Sequence, residues 1–272
     1  MVSNLIKPVG TIMGERLMYF PSLGFIIILS LLLDKLCLIN KIGHKLFYGI
    51  LLILIIFSGA RTIIRNNDWK DSKTLFFATV KESPNSLITR TALAGVAIRE
   101  DNWGEAKKQL EIARNIYEGN SHLQNLLGIV ADHEGNPRLA EEKFRKSIEL
   151  NSDAINSHIN LAELYLKQNR FEEAGDSFLR VIEFYPVAEH VIRYAYAQIA
   201  INNPDKAIMV LNKYAGGNLK HPDFSVAIGT AYFVKGDYKQ ALIYFKNARE
   251  LGNSTAEVVE MIKIAEGKIK NQ

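Results

Sequence analysis

Cysteine is almost missing from these 272 residues, and the one copy, Cys37, has no partner for an intramolecular disulfide. Its presence says nothing about redox compartment. Catalytic signatures are missing as well: no P-loop, G-x-S-x-G, H-E-x-x-H or Cys/His metal spacing occurs, and the six histidines are scattered. No metal and no cofactor is expected. A usable excess of positive charge is also lacking. The formal net charge is +4, but residues 1–65 hold 7 Lys/Arg against 2 Asp/Glu while the remainder holds 26 against 27. Nucleic-acid affinity requires clustered cations that neutralise phosphates, and an electroneutral body with basic residues scattered around an apolar segment excludes nucleic acid as a partner.

What is present begins with two long apolar runs. Leu17 to Leu33 carries no charge and continues past Asp34-Lys35 into Leu36-Cys37-Leu38-Ile39; Leu46 to Ala60 is a second uncharged run, extended by Ile63-Ile64. A helix needs roughly 20 apolar residues to cross ~30 Å of hydrocarbon, and Lys35 and Arg61 can snorkel to the headgroups. Neither run has the polar stripe of a soluble helix. The reading is a transmembrane hairpin, helices at 17–39 and 46–64 around a turn at 40–45, making the chain an integral membrane protein with lipid as one partner. With Lys35 counted beside Lys41 and Lys45, Lys/Arg number 3 at the turn and 6 in the flanks, which by the positive-inside rule favours a cytoplasmic C-terminal region.

Beyond residue 86 the chain repeats itself. Ala106, Ala140, Ala174, Ala207 and Ala241 follow one another at spacings of 34, 34, 33 and 34. Four residues after each stands Leu110, Phe144, Phe178, Leu211 or Phe245, and thirteen before each stands Leu93, Leu127, Leu161, Tyr194 or Ile228, followed by Ala94, Gly128, Ala162, Ala195 or Gly229. Two helices approach closely where both present Gly or Ala, and the bulky residue a turn later fills the hole between neighbouring pairs. This pattern resembles the tetratricopeptide repeat (TPR). The fold class is therefore all-α: the two-helix transmembrane hairpin followed by a TPR α-solenoid, a right-handed superhelix of helix pairs. Five repeats cover 87–120, 121–154, 155–187, 188–221 and 222–254. A degenerate capping helix is expected at 66–86 and a C-terminal cap at 255–272, with Val258, Val259, Ile262 and Ala265 turned inward. The fourth repeat looks irregular, with a shortened turn at Asn202-Asn203-Pro204 and a break at Ala215–Asn218.

In a TPR superhelix the first helix of each pair lines the concave face. By register this places Thr91, Arg99, His122, Asn125, Asp132, His133, Asn156, Glu163, Lys167, Tyr196 and Thr230 in the groove, with Ile129, Leu166, Phe233 and Val234 among them. The mixture suits an extended or helical protein segment. There is no Lys/Arg cluster of the kind that clamps acidic C-terminal tails, and no asparagine ladder, since the register position of Asn160 reads Ala92, Leu126, Arg193 and Ala227 elsewhere. Asn253-Ser254-Thr255 has the form of an N-glycosylation acceptor.

The first 22 residues carry one more constellation: Ser3-Asn4-Leu5, Pro8-Val9-Gly10, and the string Glu15-Arg16-Leu17-Met18-Tyr19-Phe20-Pro21-Ser22-Leu23-Gly24-Phe25. With two apolar helices after it and Asn67-Asp68-Trp69 leading into the repeats, this order closely resembles the C-terminal part of the transmembrane and TPR-containing (TMTC-like) protein O-mannosyltransferases. These are polytopic GT-C glycosyltransferases that use a polyprenyl-phosphate-linked sugar on the extracytoplasmic side and hold TPRs there to present protein acceptors. The resemblance implies that residues 1–22 form an extracytoplasmic stub, that Arg16, oriented by Glu15, lies where a lipid-linked phosphate is handled, and that the repeats are extracytoplasmic, against the Lys/Arg count. The family's acidic catalytic residue and most of its membrane helices lie upstream of the matching segment. No catalytic residue is expected here, and the chain reads as the substrate-presenting portion of such a transferase. The alternatives are a part that completes the transferase site and a stand-alone membrane assembly factor.

Overall fold

The computed structural model describes residues 70–214 and 221–271, together with Gly216 and scattered positions between 27 and 63. The stub at 1–22 with Glu15 and Arg16, most of both apolar segments, and the break at 215–218 apart from Gly216 lie outside the described residues. Twelve helices are described from end to end, and no strand occurs among the described residues: α1 (Ser72–Glu82), α2 (Leu87–Arg99), α3 (Trp103–Ile116), α4 (Ser121–His133), α5 (Pro137–Leu150), α6 (Ile155–Lys167), α7 (Phe171–Phe184), α8 (Ala188–Ala200), α9 (Pro204–Lys213), α10 (Pro222–Lys235), α11 (Tyr238–Glu250) and α12 (Ala256–Lys270). Among those residues no helix is long and apolar enough to cross a membrane.

The chain divides into two compact units, Met1–Glu118 and Gly119–Gln272. In the first, α1 packs on α2 and α2 on α3. Asp71 starts α1 as a capping box with Thr74, each side chain bonded to the other's backbone N–H, and that N–H bond from Thr74 holds the Asp71 carboxyl below the usual range. In the second, α4 to α12 pack each on the next, and first helices of successive pairs also touch, α4 with α6 and α8 with α10.

The repeat register is a packing register. All five period alanines are fully buried, and Leu110, Phe144, Phe178, Leu211 and Phe245 are at most 2% exposed. Of the residues thirteen before each alanine only Leu127 is half-buried rather than buried. The C-terminal helix α12 buries Val258, Ile262 and Ala265, and Val258 and Ile262 pack with Phe245 and Ala248.

The turn inside each pair is built one way throughout. Asp101, Gly135, Asn169, Asn202 and Gly236 all adopt positive φ, between 54° and 88°. The next residue's N–H reaches back five positions: Asn102 to Ala97, Asn136 to Ala131, Arg170 to Tyr165, Asn203 to Gln198 and Asp237 to Tyr232, at 2.8–3.0 Å. This is the Schellman bond that satisfies an orphan helix carbonyl. Asn102, Asn136 and Asp237 then cap the following helix through their side chains. The fourth repeat obeys the same rule, which corrects the expectation of a shortened turn at 202–204. Three residues join α8 to α9, as three join α6 to α7. The missing residue lies between repeats: three residues link α7 to α8, where four link α3 to α4 and α5 to α6.

Candidate functional site: the concave face

Three first helices of the second unit, α4, α6 and α8, are tied to one another by polar contacts along one face. Lys167 Nζ meets Asp132 Oδ2 at 2.6 Å, and Arg193 meets Glu163 at 2.6 Å and Glu189 at 3.3 Å. Asn125 accepts bonds from the Asn160 amide at 2.9 Å and the Ser157 hydroxyl at 3.0 Å. Ser157 continues through Ser147 to Ser121, a short chain of buried and half-buried hydroxyls that joins the second repeat to the third. Satisfied buried polar groups of this kind fix the register between repeats.

Further along the same face a cavity of about 640 Å³ opens among α6, α8, α10 and α12. Leu166, Ile192, Val226 and Val258 supply its apolar lining, and Glu189, Arg193, Tyr196, His221, Asp223, Asn253, Thr255 and Glu257 its polar parts. Partial burial, with Glu257 and Asp223 nearby, pushes the Tyr196 phenol up to about 12, so it stays a neutral hydrogen-bonding group. The Asn253 side-chain amide donates to Asp223 at 2.9 Å, and its carbonyl accepts from the Thr255 hydroxyl at 2.9 Å.

The sequence-derived groove residues divide on this geometry. Thr91 and Asn125 are 4% and 5% exposed, too buried to touch a partner. Thr91 spends its hydroxyl on the Leu87 and Ile88 carbonyls. Thr230 is half-buried and bonded to the Val226 carbonyl. Asp132 and Glu163 are half-buried ion-pair partners, whereas Arg99, His122, His133, Asn156, Lys167 and Tyr196 are exposed. Of the groove residues read from the sequence, Tyr196 and Leu166 line the cavity. The residues missed, Glu189, Ile192, Arg193, Asp223 and Val226, occupy the register of Asn156, Ile159 and Asn160 one and two repeats on. Carrying the register across the 33-residue spacing between Ala174 and Ala207 locates them.

Between the second and third repeats, Glu141 is gripped by Arg170 at 2.7 Å, by Arg145 at 3.0 Å and by the Tyr165 hydroxyl at 2.9 Å. The Arg170 guanidinium also lies 4.2 Å from the Tyr165 ring centre. Arg170 is the main cause holding the Glu141 carboxyl down to about 2, and burial, then the bond to Glu141, pushes the Tyr165 phenol up to about 12. Every member has a partner, so this cluster reads as a clasp between repeats. Among the described residues no His, Cys, Asp and Glu group is arranged to hold a metal ion.

Comparison with known proteins agrees with this architecture. A family model described as tetratricopeptide repeat matches residues 125–189. The chain is similar to the protein O-mannosyl-transferase TMTC3 of Homo sapiens, 26% identical over 241 residues that make up 89% of this chain and 22% of that protein. It is likewise similar to Tmtc3 of Drosophila melanogaster, 24% identical over 89% of this chain and 22% of that protein. The chain thus spans about a fifth of the length of these relatives. Among solved structures, the TPR protein YrrB, described as having an unusual peptide-binding site, superposes with a TM-score of 0.61 at 15% identity, over 69% of this chain and 97% of YrrB. At that identity the likeness shows the fold alone. The chain carries tetratricopeptide repeats and is homologous over them to the TMTC protein O-mannosyltransferases.

Proposed function

We propose that this chain is the membrane-anchored, protein-binding portion of a TMTC-like O-mannosyltransferase, and that its concave face holds extended segments of acceptor proteins. The observation that carries the reading is the cavity of about 640 Å³ on the first-helix face, apolar at Leu166, Ile192, Val226 and Val258 and polar around them. A partner segment can bury side chains there while its backbone is met by polar groups. The similarity to TMTC3 supplies the class of partner: proteins that receive a sugar. The chain's own part is presentation, and the polyprenyl-phosphate-linked sugar belongs to membrane helices of the wider enzyme.

Anchoring is supported by the described positions of the two apolar segments. Ile27, Ile28, Leu31, Leu52, Ile53, Ile55, Ile56, Phe57 and Ile63 are helical, and each is more than half exposed. Nine large apolar side chains facing outward favour hydrocarbon as their surroundings. With the repeats on the extracytoplasmic side, the groove meets the compartment in which the family transfers sugar.

Photo-cross-linking tests the groove. A benzophenone amino acid is placed at Tyr196, at Lys167, and at Arg180 as a control next to the clasp side, and the protein is irradiated in its native membranes. Discrete cross-linked protein bands are expected from positions 196 and 167 and none from 180. Equal cross-linking from all three, or none from the two groove positions, overturns the proposal.

A further inference from the structure

The cavity is electrically lopsided. Its lining holds three carboxylates, Glu189, Asp223 and Glu257, and one permanent cation, Arg193. That cation is already engaged, lying 2.6 Å from Glu163 and 3.3 Å from Glu189. Asp223 has the Asn253 amide at 2.9 Å and the His221 imidazole 4.0 Å away, and among the described residues no cation pairs with Glu257. Two negative charges therefore face the cavity without a permanent counter-charge among those residues. Beneath them lie the aliphatic side chains of Ile192, Val226 and Val258, and beside them the Tyr196 ring.

We propose that this cavity takes a lysine or arginine side chain of the bound segment, flanked there by apolar residues. The inference rests on the reading that the concave face binds extended protein segments, and it names the chemistry that sets their register. The long aliphatic stem of a basic side chain covers the apolar floor while its charged end reaches the carboxylates. The Tyr196 ring offers the cation a second contact. An acidic segment meets like charge over a low-dielectric surface and is rejected, which gives the site discrimination as well as affinity.

The test is selection of a random 12-residue phage-displayed peptide library on the full chain purified in detergent, with the double variant Asp223→Lys/Glu257→Lys selected in parallel. Wild type is expected to enrich peptides with Lys or Arg next to apolar residues by about tenfold over acidic ones, the preference that a like-charge clash builds in. The variant is expected to reverse the preference and enrich Asp or Glu. A misfolded variant enriches nothing, so reversal cannot come from loss of structure. Should that happen, Asp223→Asn/Glu257→Gln replaces it and is expected to lose the basic preference while keeping apolar peptides. Peptides that enrich equally with either charge, in wild type and variant alike, overturn the charge inference and leave the groove reading standing. If wild type enriches no peptide at all, both fail.

Discussion

Gly128→Ala is expected to destabilise the protein by about 2 kcal/mol, although alanine is the better helix former by ~1 kcal/mol. A Cβ built on Gly128 would stand 2.5 Å from Phe144 Cε1 and 2.6 Å from Cδ1, and Phe144 is a core ring only 2% exposed. Gly229 stands in the same relation to Phe245, at 2.6 Å. Gly95 is the control: a Cβ there meets nothing within 4 Å, so Gly95→Ala should stabilise by roughly the helix-propensity difference of ~1 kcal/mol. One substitution therefore changes sign between two helices. The first and fourth repeats carry Ala94 with Leu110 and Ala195 with Leu211, so Gly128→Ala/Phe144→Leu should recover part of the loss. Urea unfolding followed by circular dichroism measures all three, and a neutral Gly128→Ala would refute the close helix contact.

Glu141→Gln is expected to cost about 2 kcal/mol at neutral pH, with the cost vanishing in acid. The carboxyl lies near 2 in the folded chain against an ordinary 4.5. A group whose pKa is depressed by folding contributes stability that is present above its unfolded pKa and lost as pH falls through the folded value. The clasp is thus complete above about pH 4.5 and gone below about pH 2. The full shift would suggest a larger effect, but Glu141 is 22% exposed and Arg170 34%, and solvent screens the pair. Removing the carboxylate also leaves Arg145, Arg170 and Tyr165 short of their shared acceptor. Urea unfolding of wild type and variant at pH 7 and pH 2.5 reads the effect. A difference that persists undiminished in acid would show that the clasp acts through packing alone.

The repeats were legible because packing imposes one size at one position every 34 residues. Ala106 and its four counterparts are fully buried for the reason their spacing implied. Size at a single site was less legible. Gly128 and Ala162 both read as small, yet only the structure reveals a ring 2.5 Å from where a Cβ on the first would stand. The clasp escaped the sequence because Glu141 and Arg145 look like an ordinary i,i+4 surface pair; Tyr165 and Arg170 join them through the third dimension. Thr91 and Asn125 stand at concave register but are buried, their side chains spent on the Leu87 and Ile88 carbonyls and on Ser157 and Asn160. Tyr196, Asp223 and Glu257, on α8, α10 and α12, are exposed. The 33-residue period between Ala174 and Ala207 misled in a specific way. One missing residue shows as a shifted period, and the period does not say whether the turn or the link between repeats has lost it.

The most direct test of the account asks which side of a membrane the groove faces, and the single native cysteine makes it simple. In the sequence Cys37 falls at the end of the first apolar segment, and the proposed hairpin puts it on the membrane side opposite the repeats. Lys167→Cys adds a thiol at an exposed groove position whose lysine side chain is 62% accessible. Intact cells producing the protein are treated with a membrane-impermeant maleimide. The account predicts that Lys167→Cys is labelled in sealed cells while the wild type, carrying Cys37 alone, is labelled only after detergent. Labelling of Lys167→Cys that appears only once the cells are opened would contradict an extracytoplasmic groove, and ready labelling of Cys37 in sealed cells would contradict the membrane hairpin.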